Sequence, residues 1–162
     1  MAAVRGSTQR PGRNKVGAVR LFNQDTKVEA LRRAPLFEGL SKKELGQLAR
    51  VSEDMEIDPG QKLTRQGETG QEFFVIVDGT IEVEVNGESH GERGGGDFVG
   101  EIALLEDIPR TATVTAKTPL RVFVLTRQDF RRLVDDNPNV ERKVMQALAR
   151  RLVDLSRDPT VA

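Results

Sequence analysis

The chain contains no cysteine and a single histidine, His90, among its 162 residues. Disulfides, zinc-thiolate sites and thiol nucleophiles are therefore excluded, and a histidine-based metal site or acid/base pair would rest on His90 alone. Because most hydrolytic mechanisms need several such groups, we expect neither an enzyme nor a bound metal or cofactor. The absence of cysteine also favours a reducing, cytoplasmic location.

The sequence also lacks an excess of charge of either sign and any long hydrophobic run. Lys and Arg total 25, as do Asp and Glu, so no chain-wide field would attract nucleic acid or an anionic membrane. No stretch has the length and apolarity of a membrane span. The exception in charge is residues 1–22, which carry basic but no acidic residues. We interpret them as a disordered basic tail, with a docking arm as the alternative.

Helical patterns begin the rest of the chain. The pattern after Asp25 predicts a short helix that Pro35 ends, because proline lacks the amide hydrogen and clashes with the preceding turn. Ser41 and Glu44 have the spacing of a capping box, in which each side chain bonds to the other residue's backbone. A second short helix is therefore predicted from Ser41.

Helical patterns also end the chain. A short helix is predicted after Thr126 and a longer one after Asn137-Pro138, a break that offers a hinge. The longer helix carries an apolar stripe of Val140, Val144, Leu148, Leu152 and Leu155. Such a stripe can pair two copies of a chain or fold back onto its core. We expect a weak homodimer through Val144, Leu148 and Leu152 of this stripe.

Short β-rich runs separated by glycine-containing turns occupy residues 55–124, at a spacing typical of an antiparallel barrel or jelly roll. Two of these runs, residues 73–77 and 80–85, flank Asp78-Gly79 and predict a β-hairpin. Residues 120–125 are predicted to form the closing strand.

These patterns together predict one mostly β domain with flanking helices over residues 23–158. Residues 159–162 would be a short C-terminal tail. Neither an internal repeat nor a second domain is evident.

Residues 97–114 interrupt the β pattern. Gly100 permits a tight backbone entry, and residues 101–105 fit one helical turn whose free N–H groups would form an anion seat. We expect Ile102 and Leu105 to anchor this turn to the sheet. Something other than a strand is therefore predicted here.

Arg110 and Glu101 are the charged residues of interest in this segment. The Arg110 guanidinium can bind two oxygens of a phosphodiester, and the Glu101 carboxylate can accept a hydrogen bond from a ribose hydroxyl. Together they describe a ribose-phosphate site. On the residues alone, an exposed salt bridge of little energetic value explains the pair equally well.

Gly100-Glu101-x-Ala103-Leu104 followed by Pro109-Arg110-Thr111-Ala112-Thr113-Val114 resembles the phosphate-binding cassette of the cyclic-nucleotide-binding domain family. The similarity extends from about Leu36 to Ser156. It implies a jelly-roll β-barrel preceded by short N-terminal helices and followed by two C-terminal helices. It also implies that the arginine pairs with the cyclic phosphate and the glutamate with the ribose hydroxyl. The ligand-binding residues implied are Gly100, Glu101, Ile102, Ala103, Arg110, Thr111 and Ala112.

The C-terminal part is similar to bacterial catabolite-activator-type regulators, in which residues near the end of the last helix close over the base. The resemblance implies that Leu155 and Ser156 form this base lid. No helix-turn-helix follows in this sequence, so we expect no direct nucleic-acid binding. The hydroxyl of Thr111 suits either the phosphate or a guanine amino group, and the bacterial character leads us to prefer cAMP over cGMP.

The resemblance implies a sensor that couples binding of a cyclic nucleotide to movement of its C-terminal helices, which an unidentified protein effector would detect. Two alternatives stay open. One is a ligand-free protein-interaction scaffold with the same fold, and the other is a regulatory fragment of a larger effector. Hydrolysis of the ligand is not expected, because the sequence offers no metal cluster and no pair of base and nucleophile.

Overall fold

The computed structural model describes residues 23–156, apart from the side chains of Arg151 and Leu155. The helices are α1 (Gln24–Arg32), α2 (Lys42–Val51), α3 (Arg127–Asp136) and α4 (Pro138–Ser156), with 3₁₀ helices at Pro35–Phe37 and Glu101–Leu104. The strands are β1 (Glu53–Ile57), β2 (Lys62–Thr64), β3 (Glu72–Asp78), β4 (Ile81–Val85), β5 (Glu88–Arg93), β6 (Phe98–Val99), β7 (Thr113–Ala116) and β8 (Leu120–Thr126). The basic segment 1–22 and the tail 159–162 lie outside the described residues, so their predicted character stays a prediction.

Two antiparallel four-stranded sheets form the centre of the fold. Their strand orders are β1-β8-β3-β6 and β2-β7-β4-β5, and helices flank them at both ends of the chain. The mostly β class with flanking helices is thereby confirmed. Over residues 23–156 the sheets are not closed into a barrel, since β1, β6, β2 and β5 each pair with a single neighbour.

The central strands of the first sheet, β3 and β8, are buried on both faces, whereas β4 of the second sheet is buried on one, which explains their different sequence patterns. On β3, Phe74 and Ile76 pack between the two sheets, whereas Phe73 and Val75 pack against the helices. A strand with two buried faces is apolar throughout. On β4 the glutamates alternate with the buried Ile81 and Val83, because one face is core and the other is turned outward.

The predicted hairpin of residues 73–77 and 80–85 is wrong. Strand β3 pairs with β8 and β6, and β4 pairs with β5 and β7, so the chain passes from one sheet to the other between them. Gly79 makes this crossing with φ +107°, and a Cβ there would lie 2.5 Å from the carbonyl oxygen of Pro119. The turn residues were identified correctly, but a turn can connect two sheets as readily as two neighbouring strands.

The strand predicted at residues 120–125 is confirmed. It is β8 (Leu120–Thr126), the last strand of the described residues, which pairs with the first strand, β1, and lies in the interior of its sheet between β1 and β3. Its residues Val122 to Leu125 are all buried. Its long apolar run reflects this central place.

The capping box of α2 is confirmed. Glu44 N donates to Ser41 Oγ at 3.1 Å, and Ser41 N donates to Glu44 Oε1 at 2.8 Å. The same carboxylate pairs with Lys143 Nζ of α4 at 2.9 Å. These bonds lower the pKa of Glu44, with the Ser41 backbone N–H as the largest cause. The cap of α2 thus also connects the N-terminal and C-terminal helices.

The apolar stripe of α4 divides into a buried and an exposed part. Val140 and Val144 are fully buried, Leu148 is partly buried, and Leu152 is 59% exposed. The first half of the helix therefore folds back onto the core, where it contacts α3 and the 3₁₀ helix Pro35–Phe37. Val144 is thereby unavailable to a dimer interface. Among the helices of residues 23–156, none combines the length and hydropathy of a membrane span.

Candidate functional site

A short helix occupies the place where the β pattern breaks off, as predicted. Gly100 precedes it with φ +80°, a left-handed conformation that favours glycine. We call the 3₁₀ helix Glu101–Leu104 the cassette helix. Leu104 is buried in the core and Leu105 packs against it, whereas Ile102 is 38% exposed. The expected anchoring role of Ile102 is therefore wrong, since a 3₁₀ turn carries Leu104 inward instead.

The segment around Arg110 is fixed by backbone bonds to the loop before β3. Arg110 N donates to Glu68 O at 2.9 Å, and Gly67 N donates to Arg110 O at 2.8 Å. Two residues on, the Thr64 hydroxyl donates to Ala112 O at 2.9 Å. The main chain of Arg110 is thus held from strand β2 and from the following loop.

The guanidinium of Arg110 is buried and only partly bonded. Its side chain is 7% exposed, and Nη2 donates to the carbonyl oxygen of Glu72 at 2.8 Å, with Glu72 Oε1 at 3.5 Å. Within residues 23–156, Nη1 is buried and has no hydrogen-bond partner. A buried donor without a partner costs free energy, so Nη1 has an unused capacity to donate to an added acceptor group.

Two glycines make room for this guanidinium. A Cβ on Gly70 would lie 2.5 Å from Arg110 Nε, and a Cβ on Gly100 would collide with Nη1. Gly100 is therefore required both by its backbone angle and by its neighbour. The position of the Arg110 guanidinium therefore depends on the absence of a side chain at Gly100.

The electrostatic environment of Arg110 favours an incoming anion. Burial lowers the pKa of Arg110, the negative charge of Glu72 opposes that effect, and the nearby Arg127 adds to it. Arginine nevertheless stays protonated in proteins. A desolvated cation beside a second cation gains more from a bound anion than an exposed one does.

A cavity of about 430 Å³ opens over the cassette helix and Arg110. The seven predicted ligand-binding residues all line it: Gly100, Glu101, Ile102, Ala103, Arg110, Thr111 and Ala112. Glu101 is 6% exposed, so the carboxylate belongs to the interior of the site and an exposed salt bridge no longer explains it. The volume lies within the usual range for a small-molecule site.

The remaining lining residues were not identified from the sequence. They are Val83, Arg93, Phe98, Val99, Ile108, Pro109 and Val114. The inward alternation of β4 was the signal for Val83. No sequence signal was available for Arg93, because β5 is exposed along its whole length.

Of the two residues of the predicted base lid, the structure describes the side chain of Ser156 alone. Ser156 is exposed in the last turn of α4, and its hydroxyl donates to the carbonyl oxygen of Val153 at 2.8 Å. Among the described side chains of α4, which exclude Arg151 and Leu155, none lines the cavity. The side chain of Leu155 lies outside the described part of the chain, so the lid stays a prediction.

Arg127 is a second buried arginine that sequence reasoning missed. Its Nε donates to Ala103 O at 2.6 Å and its Nη2 to Glu106 O at 2.8 Å, so it caps the carbonyl end of the cassette helix. Its own backbone N–H donates to Gln71 O at 2.8 Å. An arginine at the start of a helix usually lies on the surface, which concealed this role.

Volume alone would have selected a different cavity. A groove of about 560 Å³ lies between α1 and the sheet, beside Asp25, Glu29 and Arg33. These three charged residues are all exposed. The cassette cavity is smaller, but it holds a buried carboxylate and a buried guanidinium, which is the chemistry of a specific site.

The family model described as the cyclic nucleotide-binding domain matches residues 54–137, just over half of the 162 residues. This chain belongs to the cyclic nucleotide-binding domain family. The match includes the cassette helix, Arg110 and the cavity they line. It ends at the break between α3 and α4.

The chain is also similar to named proteins, among them two regulatory subunits of cAMP-dependent protein kinase. The chain is 39% identical over 106 residues to a cAMP-dependent protein kinase regulatory subunit of Yarrowia lipolytica, covering 64% of this chain and 28% of that protein. It is 32% identical over 121 residues to the type II regulatory subunit of Drosophila melanogaster, covering 75% and 32%. The chain thus spans about a quarter to a third of the length of the curated relatives it matches.

A solved structure shows the same domain in another setting. The N-terminal domain of a transcriptional regulator from Streptomyces coelicolor A3(2) superposes with a TM-score of 0.72 at 27% identity. The match covers 80% of this chain and 96% of that one. Similar domains therefore occur in kinase subunits and in a transcriptional regulator.

Proposed function

We propose that this domain is a non-catalytic receptor for a cyclic nucleotide, with cAMP as its first ligand. The observation that carries the proposal is the buried Arg110 Nη1, which lacks a partner among the described residues and lies in a cavity with the buried Glu101. The names of the Yarrowia and Drosophila relatives favour cAMP.

Each side chain has a distinct task in this proposal. Arg110 would neutralise and orient the cyclic phosphate, since a guanidinium can donate two parallel bonds to a phosphate. Glu101 would accept the bond of the ribose 2′-hydroxyl, and the apolar wall formed by Val83, Val99 and Val114 would cover the sugar and base. These residues do not include a general base paired with a nucleophile. We therefore expect the domain to bind and release the cyclic nucleotide without hydrolysing it.

The test is titration calorimetry of the full chain with cAMP, cGMP and linear 5′-AMP. We expect saturable binding of cyclic nucleotide and much weaker binding of 5′-AMP. A ligand at a hundredfold excess over its Kd should stabilise the fold by about 2.7 kcal/mol in thermal unfolding. Absence of both heat and stabilisation with cAMP and cGMP would favour the ligand-free scaffold, and appearance of 5′-AMP from cAMP would contradict the non-catalytic role.

Coupling to the C-terminal helices would pass through Arg127. This residue begins α3 and bonds to Ala103 and Glu106 at the end of the cassette helix, so a shift of that helix would displace α3. The break at Pro138 then allows α4 to reorient. The ligand can drive this change only by its differential affinity for the two arrangements.

We expect cAMP to shorten the distance between spin labels placed on β1, at the exposed edge of the first sheet, and at Ser156. In Arg127→Gln, which loses both carbonyl contacts, the ligand-induced change should shrink while binding persists. Pulsed electron resonance measures both. An unchanged distance distribution in the parent protein would reject coupling and leave binding intact.

The protein effector and the homodimer belong to the same proposal. Met145, Leu152 and Val153 are large apolar side chains exposed on α4, and they are the residues available to either partner. Light scattering at high concentration, with and without cAMP, tests the homodimer: a dimer mass supports self-association, and a monomer mass under both conditions contradicts it. We keep a cytoplasmic location as part of the proposal.

A further inference from the structure

The turn between β4 and β5 is the dipeptide Asn86-Gly87. The two strands pair up to Val85 and Glu88, so the turn has two residues. Asn86 has φ 54° and Gly87 has φ 83°, and two positive φ values are typical of a type I′ turn. Both residues are exposed. Between residues 23 and 156, Asn86 is the only residue other than glycine with a positive φ.

An asparagine that precedes a glycine can lose ammonia without an enzyme. The backbone nitrogen of the glycine attacks the asparagine Cγ and forms a C–N bond, while the side-chain nitrogen leaves as ammonia with the proton of the glycine N–H. Water then opens the cyclic imide to aspartate or isoaspartate, so water is the only co-reactant. Glycine favours this reaction because it lacks a Cβ and its backbone is free to adopt the angles of the ring.

The structure distinguishes between two candidate sites of imide formation. The sequence contains Asn86-Gly87 and Asp78-Gly79, and a protonated aspartate reaches the same imide by losing water. A Cβ at Gly79 would lie 2.5 Å from the carbonyl oxygen of Pro119, so the chain is closely packed there. At Gly87 the corresponding position has no atom within 4 Å beyond its chain neighbours. The backbone can therefore rearrange at Gly87 but not at Gly79.

The side chain of Gln66 restrains the amide of Asn86. Gln66 Nε2 donates to Asn86 Oδ1 at 2.8 Å, and Gln66 Oε1 accepts the Asn86 backbone N–H at 2.8 Å. Gln66 is itself held, because its backbone N–H donates to Thr113 Oγ1 at 2.9 Å. To form the imide, the Asn86 side chain must turn toward the nitrogen of Gly87. It must then give up its bond from Gln66 Nε2.

We propose that Asn86 is a site of spontaneous deamidation and that the contact with Gln66 limits its rate. The reacting group is the asparagine amide, and water completes the reaction. The product gains a negative charge, and its isoaspartate form lengthens the backbone of the turn. Strand β4 carries Val83 to the cassette cavity, so the modification falls on an element that builds the site.

The experiment incubates the full chain at neutral pH and follows each asparagine and aspartate by peptide mapping with mass spectrometry. Chromatography separates the aspartate and isoaspartate products. We expect first-order loss of Asn86 and no isoaspartate at Asp78. In Gln66→Ala the rate at Asn86 should rise about threefold to tenfold, the effect of losing one exposed hydrogen bond before the rate-limiting step.

The matched control is Gln61→Ala, which removes the same type of side chain from a different turn. Gln61 Oε1 accepts the Asp58 backbone N–H at 2.8 Å, and neither residue contacts Asn86 through a hydrogen bond. The rate at Asn86 should equal the parent rate in this variant. Circular dichroism establishes that both variants remain folded.

Three results would overturn parts of the proposal. If Asn86 stays intact in the folded chain while the urea-unfolded chain deamidates there, Asn86 is not a modification site. If Asp78 forms isoaspartate as fast as Asn86 reacts, packing at Gly79 does not select the site. If Gln66→Ala reacts no faster than the parent, or no faster than Gln61→Ala, the contact with Gln66 does not limit the rate.

Discussion

Arg110→Ala should weaken cAMP binding by about thirtyfold to several thousandfold, because removing one partner of a buried charge pair costs about 2 to 5 kcal/mol. The guanidinium is 7% exposed, so water cannot replace it at the phosphate. Arg110→Lys should restore only part of the affinity, since a lysine offers a point charge without the planar pair of donors. Calorimetry measures both.

The control for Arg110 is Arg121→Ala. Arg121 also pairs with a glutamate, Glu56 at 3.2 Å, but it does not line the cassette cavity. Its Kd for cAMP should stay within about threefold of the parent value. If Arg110→Ala did the same while its thermal unfolding remained cooperative, the phosphate role of Arg110 would be wrong.

Glu101→Ala should raise the Kd for cAMP by about tenfold to a hundredfold, since a hydrogen bond to a charged group contributes about 1.5 to 3 kcal/mol. More specifically, it should abolish the preference for cAMP over 2′-deoxy-cAMP, because the deoxy analogue lacks the hydroxyl that Glu101 accepts. Competition binding of the two nucleotides measures that preference directly.

Glu106→Ala is the matched control for Glu101. It removes a carboxylate from the residue just beyond the cassette helix, and the Glu106 side chain is exposed and does not line the cavity. The preference for the ribose hydroxyl should survive in Glu106→Ala. Persistence of the preference in Glu101→Ala as well would assign the ribose contact to another group.

Local features of the fold were predictable because neighbouring residues determine them. The capping box at Ser41 and the helix break at Pro138 depend on contacts within a few residues, and both occur where the sequence places them. The glycine before the cassette helix follows the same logic, since its left-handed φ is a property of one residue. The alternation of glutamate with apolar residues in β4 likewise indicated which face is core.

Long-range features were not predictable in the same way. The hairpin predicted at Gly79 failed because strand partners are selected by packing across the whole domain, and β3 finds both of its neighbours far along the chain. The anchoring assigned to Ile102 failed because a 3₁₀ turn rotates successive side chains differently from an α-helical turn. The apolar stripe of α4 did not indicate how many of its residues would be buried, because burial depends on where the helix lies against the rest of the domain.

The sequence by itself determined the family, the mostly β class and the order of helices and strands, together with the seven motif residues whose types suit a ribose-phosphate. These are properties of short segments and of residue chemistry. Only the tertiary structure decided which groups meet in space. It gave Arg110 the carbonyl of Glu72, placed Arg127 against the end of the cassette helix and turned Arg93 into the cavity. Each of these contacts joins residues more than five positions apart, so it depends on strand register and packing that no local pattern encodes.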